Sequence, residues 1–416
     1  MTIATEVCVV GGGPGGRALA LALGRLGRRV VLLEQRAGAA RIFRGESISP
    51  DGVRLLAGLG VLERVREHAH EVRRLEITDG GARVLDIRFE TFPYAYRHPV
   101  ELAQPVLLSA LARATAEQGR CTVLEPASAV ELLRDGGTVR GVRATTPDGP
   151  VEIRADVTVG ADGRYSTVRR LCGIERGARR TDLDRDVVWM KLPFPAAWDR
   201  CAYRVRISSG RHGLFLPSTD GTLRVGLNIP KGGLRELRSG GLGLLHARLA
   251  ELAPELEQEA VAALRSWSDT TLLDIFTTEV RRWSAPGVVL IGDAAHTLSP
   301  ILGQGVNHAL ADAVALAPLL AEALAEPRSA RPAALAAAAL TFQQARQGAV
   351  RRSRALQLRQ ERMFGIEAPI AAALRRAVYR TVNASPALQR RVFAPAYFPG
   401  QRPAPADRPL RTEQRT

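Results

Sequence analysis

The stretch that most constrains this chain is its beginning, where the apolar run Val7-Cys8-Val9-Val10 passes straight into Gly11-Gly12-Gly13-Pro14-Gly15-Gly16 and then into an alanine- and leucine-rich segment. That order predicts a strand, a turn and a helix. Gly11, Gly13 and Gly16 have the G-x-G-x-x-G spacing: the first allows a tight turn, the second lets the backbone approach a pyrophosphate, and the third lets helix and strand pack closely while the helix N-terminus faces the anion. A second apolar run, Val30-Val31-Leu32-Leu33, ends on Glu34. It lies about 20 residues beyond the glycines, where a carboxylate can accept both hydroxyls of an adenosine ribose and disfavours a 2′-phosphate.

A length of 416 residues allows two intimately joined domains with ample core, and 46% hydrophobic with 24% charged residues is an ordinary globular balance. No run of eighteen apolar residues is present, and the N-terminus enters a strand without a secretory leader, so a cytoplasmic location is expected. Cys8, Cys121, Cys172 and Cys201 are scattered singly, which predicts neither a disulfide nor a metal site, with Cys8 a small hydrophobe inside the first strand. Of the 58 basic residues behind the net charge of +16, only Lys191 and Lys231 are lysine. The arginines are spread through the chain with no nucleic-acid-binding signature beside them, so nucleic acid is not expected as a partner, whereas acidic small molecules are compatible.

Further along, a helix is expected around Asp51–Leu59, a short antiparallel excursion over 71–99, and a helix over 105–118 with Gln104 at its entrance. Strands fill 121–160, with a hairpin turn at Asp148-Gly149, and Val157-Thr158-Val159 runs into Gly160-Ala161-Asp162-Gly163. Residues 185–280 alternate as an antiparallel sheet with a helical cover over 234–264. The α/β pattern then resumes with Val288-Val289-Leu290-Ile291, the turn Gly292-Asp293-Ala294-Ala295-His296 and a long helix from near Gln304. The organisation predicted is α/β: a doubly wound, Rossmann-like dinucleotide domain from 1–75, 100–185 and 280–345, an inserted antiparallel β-sheet substrate domain from 76–99 and 186–279, a helical C-terminus over 346–398, and a disordered proline-rich tail over 399–416.

Three separated motifs now coincide: Gly11–Gly16, then Gly160-Ala161-Asp162-Gly163-Arg164-Tyr165-Ser166, then Gly292-Asp293-Ala294-Ala295-His296 with Pro300-Ile301-Leu302-Gly303-Gln304-Gly305-Val306-Asn307. In this order they closely resemble the single-component flavin monooxygenases of the p-hydroxybenzoate hydroxylase type, over roughly residues 5–345. The resemblance implies FAD as cofactor, NAD(P)H as a transiently bound reductant, and insertion of one oxygen atom of O₂ into an apolar aromatic, quinone-like or polyketide-like small molecule through a flavin C4a-(hydro)peroxide. It also implies cofactor contacts residue by residue. Gly11, Gly13, Pro14, Gly15 and Gly16 form the pyrophosphate turn, and Glu34, with Gln35 and Arg36 after it, is the ribose acid. Arg44 and Gln104 touch the flavin cofactor. Asp162 and Gly163 support the FAD turn and nicotinamide use. Asp293 binds the ribityl chain, and the loop carrying Pro300, Gly303, Gln304, Gly305, Val306 and Asn307 offers backbone N–H groups to the isoalloxazine, where a reduced flavin carries negative charge.

Arg44-Gly45-Glu46-Ser47 with Pro50 leans toward flavin halogenases and isoprenoid reductases, which share this domain. The halogenase Trp-x-Trp-x-Ile-Pro motif is missing, its nearest counterpart being Gly213-Leu214-Phe215-Leu216-Pro217, and no lysine lies between residues 37 and 103. A reductase or dehydrogenase of an isoprenoid chain, and a non-catalytic flavoprotein, stand as alternatives. Phe215 and Pro217 are expected to face the flavin as part of the substrate pocket. His296 reads as a structural residue rather than a base, and His212, Asp220 and Tyr203 are left undistinguished as candidate bases. The arginine-rich C-terminal helices carry Leu356, Leu358, Met363, Phe364, Ile366, Ile370 and Leu374, enough to pack them onto the FAD domain, with docking on an anionic membrane the alternative.

Overall fold

Thr2–Val10 becomes the centre of an eight-stranded sheet in the computed structural model, which describes residues 1–38, 46–256 and 258–403. It pairs in parallel with Val30–Leu33 on one side and Gly149–Gly160 on the other, and the parallel order continues outward to Cys121–Leu124 and Val288–Leu290. The strand order therefore reverses at Thr2–Val10, and a crevice opens beyond its carboxyl end. Val7–Val10, Val30–Leu33 and Val288–Leu290 are buried along their whole length, as continuous apolar runs are when a parallel sheet is covered on both faces. The Pro14–Arg25 helix packs against the Gln104–Ala116 and Gly305–Ala325 helices. Gly15 makes the second of these approaches possible, since a Cβ there would lie 3.1 Å from that of Ala309.

The second sheet has seven strands, in the order Thr270–Leu273, Arg185–Pro193, Thr222–Pro230, Arg211–Pro217, Ala202–Ser208, Arg74–Asp79 and Ala82–Arg88. All its pairs are antiparallel except that of Ala202–Ser208 with Arg74–Asp79. Alternation gives it two distinct faces. Val188, Met190, Phe215, Val225 and Leu227 form one face, covered by Leu245, Leu249 and Leu252 of the Gly241–Leu252 helix. Leu75, Ile77, Trp189, Tyr203, Val205, Leu214 and Leu216 form the other and turn toward the first sheet.

A 34-residue helix, Arg331–Phe364, leads to the shorter helices Pro369–Ala384 and Pro386–Tyr397. Leu356, Met363 and Phe364 pack against the outer strands of the second sheet rather than onto the FAD domain, and Ile370 and Leu374 are 88% and 66% exposed rather than packed. The disorder expected from residue 399 does not hold for its described part. Gln401 donates to the Tyr96 carbonyl at 3.0 Å and accepts from the Tyr96 N–H at 3.3 Å, whereas 404–416 lie outside the described residues.

One buried polar cluster fastens the late turn to the long helices. The Asp312 carboxylate accepts from the Gly292 N–H at 2.8 Å and from Arg346 Nε at 2.7 Å, and lies 2.7 Å from His296 Nε2. His296 is thus engaged in structure, as its sequence setting implied. Burial alone would push the Asp312 carboxyl up, but His296 and Arg346 hold it well below the usual range. Asp312→Ala strands Arg346 in the interior, and a loss of about 3–5 kcal/mol is expected in denaturant unfolding. Because the folded-state value is depressed, the stabilisation from Asp312 is present above the ordinary carboxylate range near about 4 and disappears as the pH falls through the folded value, so the wild-type advantage over the variant should shrink in acid.

Candidate active site

The crevice and the inner face of the second sheet enclose one continuous cavity of about 680 Å³. At one end lies the glycine turn. Gly11 sits at φ +110°, and a Cβ on Gly16 would stand 1.9 Å from the Gly11 carbonyl oxygen, so both positions exclude any larger residue. Gly13 precedes the helix without a side-chain cap, which leaves the N–H groups of its first turn directed at the cavity. Glu34 is buried, and its carboxylate accepts from the Gly12 N–H at 2.8 Å and the Arg36 N–H at 3.1 Å.

Pro14, Gly15, Gln35 and Arg36 join Gly11, Gly13 and Glu34 in the cavity wall. So do Gln104, Asp162, Gly163, Asp293, Pro300, Gly303, Gly305, Val306 and Asn307. Gln104 begins its helix, and its Oε1 is buried with no hydrogen-bond partner among the described residues. Asp162 turns most of its capacity on its own loop: Oδ1 accepts from Ser166 Oγ at 2.5 Å and Oδ2 from the Val168 N–H at 3.0 Å. Burial pushes its carboxyl up against these donors. Asp293 Oδ2 pairs with Arg164 at 3.3 Å. Asn307 ties the late loop to the early one, accepting from the Ser49 N–H at 2.9 Å and donating to the Gly303 carbonyl at 2.9 Å.

Other expected residues fall elsewhere. Gly16 and Gln304 stand behind the wall rather than in it, and Arg44 lies outside the described residues. Phe215 and Pro217 are a correction: both point to the far face of the sheet, and their neighbours Leu214 and Leu216 line the cavity. A shift of one residue in register reverses every side chain of a strand, and the apolar run Leu214-Phe215-Leu216 carries no alternation to fix it. Among the three candidate bases, His212 is buried against Phe364, with ring centroids 5.0 Å apart, and held neutral, its pKa lowered to about 3 by burial, with Arg185 and Arg375 adding to the effect. Asp220 pairs with Lys191 on an exposed turn. Only Tyr203 reaches the cavity.

Tyr203 belongs to a polar knot that sequence reading missed. Its hydroxyl donates to Glu101 Oε1 at 2.7 Å, Ser47 Oγ hydrogen-bonds the same carboxylate, and Arg224 lies 2.8 Å from Glu101 and 2.9 Å from Glu46. Trp189 covers the guanidinium, 5.4 Å from its ring centroid. Glu101 is fully buried, and burial pushes its carboxyl up while Arg224, Ser47 and Tyr203 pull the other way. The available signal was a lone charge inside an apolar strand, as in Val100-Glu101-Leu102 and Leu223-Arg224-Val225. Gln360, Phe364, Phe393 and Tyr397 of the C-terminal helices complete the wall.

Residues 4–353 match the family model described as "FAD binding domain". The chain is 40% identical over 324 residues to 6-methylpretetramide 4-monooxygenase of Streptomyces rimosus, covering 77% of this chain and 76% of that protein. It belongs to the FAD-dependent monooxygenases of the p-hydroxybenzoate hydroxylase type. Protoasukamycin 4-monooxygenase of Streptomyces nodosus subsp. asukaensis is 29% identical over 346 residues, covering 80% and 82% of the two chains. The structure of Pseudomonas aeruginosa PqsL in complex with 2-aminobenzoylacetate superposes with a TM-score of 0.76 at 25% identity, over 92% of this chain and 100% of that one. The chain is therefore an FAD-dependent, NAD(P)H-using monooxygenase, and the reductase, halogenase and non-catalytic alternatives fall away.

The residues present fit that cofactor: a glycine turn closed to any Cβ, an uncapped helix start, a buried carboxylate at the end of the second strand, and a buried Gln104 oxygen with no hydrogen-bond partner among the described residues. Gln104→Leu should weaken FAD binding by about fivefold to a hundredfold, the range that about 1–3 kcal/mol for a buried polar contact represents. Titration of apoprotein with FAD, followed by flavin fluorescence, measures it. Gly16→Ala should yield protein that does not retain the yellow cofactor.

Proposed function

We propose that this monooxygenase hydroxylates a flat, polycyclic phenol of the aromatic-polyketide kind. The observation that carries the reading is the shape of the chamber beside the proposed flavin site: an apolar plane of Leu75, Ile77, Val205, Leu214 and Leu216, capped by Phe364 and Phe393, with a polar corner at Tyr203 and Arg224. A planar ring system buries its faces on that plane, and a phenolic or enolic oxygen meets the corner, the usual division of labour in small-molecule sites. The 40% identity to a protein named for oxygenating 6-methylpretetramide supports the same substrate class.

FAD, reduced by NAD(P)H, supplies the activation of O₂; the chain supplies position and dryness. We further infer that Gly11, Gly13, Pro14, Gly15 and the Glu34–Arg36 segment hold the adenosine diphosphate, that Asp293 holds the ribityl chain, and that Gln104 and the Pro300–Asn307 loop border the ring system. The N–H groups where that loop enters the Gly305–Ala325 helix are suited to stabilise negative charge on the reduced ring. Tyr203 and Arg224 orient the substrate oxygen, and the apolar plane excludes water, so oxygen transfer competes well with simple oxidation of NAD(P)H.

The test is turnover under ¹⁸O₂ with tricyclic and tetracyclic phenols against monocyclic ones. Polycyclic phenols should stimulate NAD(P)H oxidation and give product carrying one labelled oxygen, and a preference for monocyclic substrates would contradict the proposal. Leu214→Trp should lower kcat/KM at least tenfold by filling the chamber while leaving the FAD content unchanged, whereas Phe215→Leu, on the other face, should leave kcat/KM within about twofold.

A further inference from the structure

The Pro369–Ala384 helix is packed inside out. Its inward face carries Ala372, Arg375 and Tyr379, and its outward face carries Ile370, Ala373, Leu374, Ala377, Val378 and Thr381, all exposed. At 100° per residue these six form one continuous apolar ridge, with Arg376 and Arg380 along one margin. The inversion has a cause. Arg375 is 1% exposed and bonded to the equally buried Asp79 at 2.8 Å, and its guanidinium also donates to the carbonyls of Met363 and Ile366 at 2.8 and 3.0 Å. That bolt fixes the helix rotation and holds Ile370, Leu374 and Val378 at 88%, 66% and 39% exposure.

The C-terminal segment that carries the ridge is one-sided in charge, its acidic neighbours being Glu367 before it and Asp79 and Asp86 on the strands beneath. The chain carries 42 acidic residues in 416, yet residues 368–403 contain none, against Arg375, Arg376, Arg380, Arg390, Arg391 and Arg402. Arg375 pairs with Asp79 and Arg376 lies 3.7 Å from the same carboxylate; Arg380, Arg390 and Arg391 are exposed to solvent. Two copies of such a face repel each other, whereas an anionic, apolar-cored layer satisfies both the ridge and its margins. We propose that the Pro369–Ala384 helix is a docking surface for an anionic lipid bilayer, with Ile370, Leu374 and Val378 inserted among the acyl chains and Arg380 at the phosphates. The helix lies between the two segments that cap the chamber, Gln360 with Phe364 before it and Phe393 with Tyr397 after it. Docking therefore brings the chamber's C-terminal wall to the membrane. The inference does not depend on which substrate the chamber takes.

The test is flotation of the FAD-loaded enzyme with vesicles of phosphatidylcholine alone or mixed with phosphatidylglycerol. Binding is expected to the mixed vesicles at low salt, with release as salt rises, because the Debye length shrinks from about 10 Å at 0.1 M to about 3 Å at 1 M. Arg380→Gln should lower the partition coefficient about fivefold, the equivalent of about 1 kcal/mol per surface charge. I370D/L374D should abolish binding; both side chains are solvent-exposed, so FAD content and turnover of a water-soluble substrate should be unchanged. No binding to anionic vesicles at low salt, or binding that survives I370D/L374D, overturns the proposal. So does a dimer in sedimentation velocity that I370D/L374D dissociates, since the ridge would then belong to a second copy.

Discussion

The buried ion pair of Arg224 with Glu46 and Glu101 is the interaction on which the rest of this architecture depends. All three side chains are at most 10% exposed, and each comes from a different segment: Glu46 from the early loop, Glu101 from the short Val100–Leu102 strand, and Arg224 from the second sheet. Desolvating such charges is costly, and removing one partner leaves the others stranded, a penalty of about 3–5 kcal/mol. The arrangement is therefore hard to distort gradually. Because the Val100–Leu102 strand runs directly into the helix headed by Gln104, the carboxylate that grips the sheet is three residues from the proposed flavin contact. One short strand thus sets the registry between the cofactor groove and the chamber that faces it.

The two halves of the cavity are built on different principles. The groove consists of backbone approaches that exclude side chains, such as Gly16 against the Gly11 carbonyl, so few sequences can form it. The chamber is a sheet face and three aromatic caps, tolerant of substitution as apolar walls are. The family match ends at residue 353, and Gln360, Phe364, Phe393 and Tyr397 all lie beyond it.

The same contrast explains what was legible in the sequence. The strand, glycine turn and helix at the N-terminus, the Asp148-Gly149 hairpin and the turn before the long late helix could be read because each has local chemistry that admits one backbone solution. The pocket-facing register of Arg211–Pro217 could not, since Leu214, Phe215 and Leu216 are all apolar and only packing against the Gly241–Leu252 helix decides which turns inward. Nor could the knot, whose members are separated by up to 178 residues, from Glu46 to Arg224. The orientation of the Pro369–Ala384 helix misleads for a related reason. Apolar periodicity alone turns Ile370 and Leu374 inward, and the Asp79 partner that reverses the choice is nearly 300 residues away.

The central claim is that the knot holds the substrate plane against the cofactor groove tightly enough to direct oxygen into product. The ratio of hydroxylated product to NAD(P)H consumed, measured in Arg224→Met and Glu101→Gln holoenzymes, tests it most directly. The account predicts that both retain FAD, because the glycine cradle shares no residue with the knot, while the ratio falls severalfold in Arg224→Met and less in Glu101→Gln, with hydrogen peroxide making up the difference. An unchanged ratio in Arg224→Met with FAD still bound would contradict it.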